Sequence, residues 1–149
     1  MQIFLHVLSM FVAFALTVGV GIASTAIART RDVRAIRAAA KIAQPLQLTG
    51  GIFIVVGVIF GFATAASAGY SLGSTWLVVG YVCAALLLIA GVAVHRTWLV
   101  RISKAAQASP DDRPSGDLNV LIDDRFVQAA GPLTGLVWLV AIAVMTLKP

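Results

Sequence analysis

Two side chains near the start of the chain have the chemistry to hold a metal, His6 and Met10. Four residues apart on a helix, they stand on one face, one turn from each other. An imidazole nitrogen ligates haem iron or copper, and a methionine sulfur is a known second ligand to either. The same histidine could instead hydrogen-bond a neighbouring helix, as polar side chains in lipid commonly do. Both readings stay open on the sequence alone. The other histidine, His95, sits beside Arg96 where an apolar run ends, and is expected at the opposite membrane surface. About 25 to 30 Å of bilayer depth then separates the two rings, too far for one iron to bridge.

The rest of the interior offers little acid–base chemistry. No Asp, Glu, Lys or Arg occurs between Ile42 and His95, and the polar groups of the apolar stretches are neutral, among them Thr17, Gln47, Thr64 and Gln128. Proton-coupled pumps and hydrolases need a buried acid or base, so both are disfavoured. No phosphate-cradling glycine loop is present either. The single cysteine, Cys83, excludes an intrachain disulfide and reads as a small buried apolar side chain. The aspartates from Asp111 to Asp124 lack the ligand order of a calcium loop and read as a solvated connection, with Asp123 and Asp124 placed to cap a following helix.

These residues must be positioned by helices in a membrane. The 149 residues are 60% hydrophobic and only 11% charged, outside the usual range of soluble domains. Apolar runs at about 3–28, 46–68, 72–94 and 126–146 are each long enough to cross a hydrocarbon core of about 30 Å. The expectation is one all-α domain over 1–149, a four-helix transmembrane bundle in contact with the lipid bilayer. Arg29, Arg31, Arg34, Arg37 and Lys41 lie between the first two spans; Arg96, Arg101, Lys104, Arg113 and Arg125 lie between the last two. Cytoplasmic loops carry the excess of Lys and Arg, which puts two basic loops in the cytoplasm and the N and C termini outside. The net charge of +5 is thereby explained without nucleic acid. A cleaved signal is not expected, because no Lys or Arg precedes the first apolar run.

The Arg29–Lys41 cluster reads as a segment in the headgroup layer, ending where Pro45 admits the second span. It serves as a topology signal or as a docking patch for anionic lipid or a partner. Small residues at four-residue spacing mark close helix contacts. They are Ala15, Gly19 and Ala23, expected to face into the bundle, then Gly57, Gly61 and Ala65, and finally Gly131 and Gly135. The spacing alone does not separate packing within the chain from homo-oligomer formation. Tyr70 and Trp76 suit the outer interface.

Four stretches together carry a resemblance: Phe4-Leu5-His6-Val7-Leu8, the charged segment before the second span, Gly73-Ser74-Thr75-Trp76, and Val144-Met145-Thr146-Leu147-Lys148-Pro149. They resemble an uncharacterised bacterial family of small four-helix integral membrane proteins, similar at a distance to copper-resistance D-type proteins and to membrane-bound protoporphyrinogen oxidases. That resemblance implies a bacterial inner-membrane, multi-pass location, and it makes His6 the position matching a haem or copper ligand. The chain thus reads first as a small non-catalytic structural or accessory component of a membrane assembly, as a homo-oligomer or within a larger complex. The alternative is a membrane haem- or copper-binding protein using His6, with Met10 as a further ligand and haem b or copper as the cofactor.

Overall fold

A computed structural model describes residues 1–147, and among these every regular element is helical. Helix α1 spans Gln2–Arg29, α2 Val33–Ser67 and α3 Thr75–Ala108; a short α4, Gly116–Ile122, leads into α5, Arg125–Leu147. Four helical stretches are long and apolar enough to cross a membrane, and their large side chains face outward: Phe11 is 70% exposed, Ile59 60% and Leu139 63%. A shell of that kind is stable only where lipid replaces water.

Two helices are longer than their apolar runs. At 1.5 Å per residue α2 extends for about 52 Å, so the turns carrying Arg34, Arg37 and Lys41 continue the span beyond the apolar layer instead of forming a separate segment. Asp32 starts this helix by accepting from the backbone N–H of Arg34 and Ala35. Pro45, expected as a boundary, lies inside it. The neighbouring Gln44 amide donates to the Leu99 carbonyl at 3.5 Å, tying the chain to α3 at that point. Helix α3 likewise runs on past His95 to Ala108, beyond the span expected at 72–94. The reason is that Trp98, Leu99, Ile102 and Ala106 recur at helical spacing and bury against Val33, Ile36, Leu118 and Ile122.

Two of the turns that reverse the chain use left-handed backbone, at Arg31 (φ 59°) and Gly69 (φ 75°). Glycine takes this conformation freely, whereas an arginine there is held by contacts elsewhere. Arg31 bonds Asn119 and pairs with Asp123 at 2.8 Å. The aspartates otherwise read as solvated also take arginines: Asp111 pairs with Arg37 at 2.5 Å and with Arg34 at 3.2 Å.

The buried face of α1 is Ser9, Ala13, Thr17, Gly21, Ser24 and Ala28, while Ala15, Gly19 and Ala23 are exposed. The expected stripe therefore faces outward. Both stripes are built of small residues, but the inward one carries three hydroxyls, which are costly against hydrocarbon. Its register passes through a turn of π-helix at Ala15–Gly19, and α3 has a second at Ala90–Arg96.

Packing divides the bundle into layers. Helix α1 lies along α2 and α3 along α5. At the basic end the cluster around Trp98 closes the two pairs together, and at mid-depth Ala13, Ile54, Ala84, Leu87 and Trp138 form a second core. Toward the end carrying Met1 and Leu147 the pairs part and leave a cavity.

Candidate functional site

That cavity, about 360 Å3, is where the structure places His6 and Met10, together with Thr64, Tyr81 and Met145. Both belong to α1, and the α2 glycines make room for them. A Cβ added at Gly61 would stand 2.8 Å from the His6 ring, and one at Gly57 2.5 Å from the Met10 sulfur. Ala65, one turn further on, is buried and lines the same space. Gly131 and Gly135 differ: an added Cβ at either meets nothing within 4 Å.

His6 Nδ1 lies 2.7 Å from the Gly57 carbonyl oxygen. A carbonyl only accepts, so in the neutral ring Nδ1 carries the proton and Nε2 keeps its lone pair. Metal-binding histidines are oriented in this way, one nitrogen donating to a backbone carbonyl and the other left to ligate. Soft donors accompany it. Met10 reaches the cavity from one turn along α1, and Met145 from the far end of α5. Met145 lay outside the sequence reading, because its approach depends on how α5 rotates against α3 and no local spacing records that.

Two further side chains stand out by what they lack. Thr64 Oγ1 and the Tyr81 hydroxyl are buried without a hydrogen-bond partner among the described residues. Both line the cavity. A hydroxyl shut away from water without a partner is rare enough to need an explanation, and a bound molecule is one. Tyr70 and Trp76 form the rim, their rings edge to face at 5.3 Å.

His95 is not at the interface. It is 7% exposed and lies within the π-helical turn of α3, because α3 continues three turns beyond it as a packed helix. Its ring lies against Gly21, fifteen residues along α1 from His6 and thus about 22 Å away along the helix. One iron therefore cannot take both imidazoles. Among the described residues no group of three His, Cys, Asp or Glu converges on a metal position. Cys83 is buried in α3.

The cavity is of small-ligand size and largely apolar, and its lining includes one imidazole, two thioethers and two hydroxyls. No curated protein and no solved structure matches the chain. A family of predicted integral membrane proteins, DUF2269, matches residues 2–149. With essentially the whole chain covered and four apolar helices in place, the protein belongs to the DUF2269 family and is a multi-pass integral membrane protein.

Proposed function

We propose that this protein is a non-catalytic accessory component of the bacterial inner membrane that holds one haem-class group on His6, in the cavity between its two helix pairs. The observation that carries the reading is the His6 ring. It is fixed by its Nδ1 bond to Gly57 and cradled where Gly61 lacks a side chain, beside a cavity of about 360 Å3. The donor set fits: Nε2 of His6 would take the iron, with the Met10 or Met145 sulfur in reach of the same space. Bound there, haem would supply a centre able to exchange one electron. The protein's own part is to orient the imidazole, keep water out with Leu77, Val58 and Ala84, and offer the Thr64 and Tyr81 hydroxyls to oxygen acceptors on the ligand. One imidazole and two thioethers also suit cuprous copper. A bare ion leaves most of the cavity empty, which favours the larger group.

The test is an oxidised and a dithionite-reduced absorption spectrum of protein purified in mild detergent, with metal analysis of the same sample, for wild type and His6→Ala. The expected result is a near-stoichiometric haem band that the variant loses. Copper without a haem band would replace haem by the metal alone. Wild-type protein that stays colourless and metal-free after incubation with haem would overturn the reading and leave a purely structural role.

A further inference from the structure

A second polar site lies deeper, between the two core clusters, and the haem reading makes no use of it. Both π-helical turns abut one small cavity, Thr17 and Val18 from α1 and Ala90, Gly91 and His95 from α3. A π turn lengthens the hydrogen-bond ladder locally and recurs at functional positions in helices. Two side chains lining this cavity have a buried atom with no hydrogen-bond partner among the described residues, Gln47 at Oε1 and His95 at Nε2. They are 5% and 7% exposed, so neither is satisfied from outside.

The two hydroxyls at the cavity are already engaged. The Thr17 hydroxyl donates to the Ala13 carbonyl at 2.7 Å and accepts from Trp138 Nε1 at 3.3 Å. The Thr134 hydroxyl donates to the Ala130 carbonyl at 2.7 Å. Among the described residues, the fully buried side-chain atoms left open there are one acceptor on α2 and one imidazole nitrogen on α3, with no direct hydrogen bond between them. The cavity measures about 20 Å3. A single water needs about 10 to 15 Å3 and two or more polar partners. An organic ligand is far too large. A metal ion would find one neutral amide oxygen and one imidazole nitrogen, short of the six or more oxygens that hard cations take and of the three or four protein ligands of a zinc site, and among the described residues no group of three His, Cys, Asp or Glu converges there.

We propose that this cavity is a binding site for one resident water, which donates to Gln47 Oε1 and pairs with His95 Nε2, joining α2 to α3 at the level of the two π turns. The water gives the buried histidine a polar partner that no side chain supplies.

The experiment uses the full chain in lipid nanodiscs with histidine labelled in 13C and 15N. Magnetisation transfer from water to the His95 ring is measured in wild type, Gln47→Leu and His6→Ala, the last serving to assign the two rings. The expected wild-type result is transfer to His95 that Gln47→Leu reduces at least about fivefold, with coupling of similar size between Gln47→Leu and His95→Phe in unfolding measurements. Absent transfer in wild type overturns the proposal, and that measurement needs no variant to fold. Transfer unchanged in Gln47→Leu also overturns it, since the water then does not bridge the two side chains.

Discussion

The proton on His6 Nδ1 decides what that ring can do, and its position depends on a glycine carbonyl one turn from the glycine that makes room for the ring. Substituting the two glycines should therefore have unequal effects. Gly57→Ala presses on Sδ and Cγ of Met10, an unbranched side chain that can change rotamer. Gly61→Ala presses on a ring already tied by a 2.7 Å bond, so the imidazole must leave its acceptor. Overpacking of that kind costs about 1 to 3 kcal/mol. Thermal unfolding in detergent should show the larger loss for Gly61→Ala, and the same variant should lose any haem band; equal losses would mean that the ring is not held as described. Gly135→Ala, with open space around it, is the neutral control. A second expectation concerns Tyr81. Removing its unpartnered hydroxyl in Tyr81→Phe should leave the unliganded protein as stable or slightly more so, while weakening ligand affinity by about tenfold, the effect of one lost hydrogen bond. Titration of the apo protein with haem checks both halves. His6 and Met10 could be read from the sequence because they share one helix face. Tyr81 and Met145 could not, since what brings them to His6 is the rotation of distant helices. His95 was misplaced for a related reason: hydropathy shows where an apolar run stops, and a helix can continue past that point.

At the level of elements, the basic end is a small packed core continuous with the spans. The extended turns of α2 and α3 pack through Ile36, Leu99 and Ile102, and arginines of α2 clamp the connection that follows α3. Arg37 donates to the Ala106 and Ser109 carbonyls at 2.8 and 2.6 Å as well as to Asp111. The hydrogen bond and charge of Arg37 hold the Asp111 carboxyl below its usual range. A carboxylate with a lowered folded-state pKa stabilises the fold above its unfolded value of about 3.9, and the contribution is lost as the pH falls through the folded value. Because Asp111 is exposed, the consequence is local. Residues 109–115 should become more open to proteases and amide exchange below about pH 4, and Asp111→Asn should produce the same opening at neutral pH. Unchanged exchange in the variant would place the clamp in the Arg37 bonds to backbone alone. The start of α5 makes a simpler case, since Asp124 accepts from the N–H groups of Phe126 and Val127. Asp124→Ala should cost about 1 kcal/mol in unfolding measurements. This cap was visible in the sequence because capping is local. The outward stripe of Ala15, Gly19 and Ala23 shows the limit of such reading: two faces of one helix carried equivalent spacing, and only the polar content of the other decided which turned inward.

For the whole molecule, four layers follow one another from the basic end: an apolar core around Trp98, the small polar cavity at His95, the core at Trp138, and the cavity at His6. On the proposed function, a bundle closed at one end and parted at the other would admit its ligand from the parted end. Which side of the membrane that end faces decides where the ligand comes from. The ten basic residues from Arg29 to Arg125 all fall at the closed end or in the turns next to it, and none falls between the second and third spans. Retention of Lys and Arg in the cytoplasm predicts the closed end inside and the His6 cavity toward the outer face. The orientation is testable in intact cells on a Cys83→Ala background, with one new cysteine at Gly73 in the turn beside the cavity and, in a separate chain, one at Asp112 beside the arginine clamp. A membrane-impermeant maleimide should label the Gly73→Cys protein directly and the Asp112→Cys protein only after the cells are opened. The reverse pattern would make the cavity a cytoplasmic one. Its ligand would then have to arrive from inside, and the rim formed by Tyr70 and Trp76 would mark the inner interface.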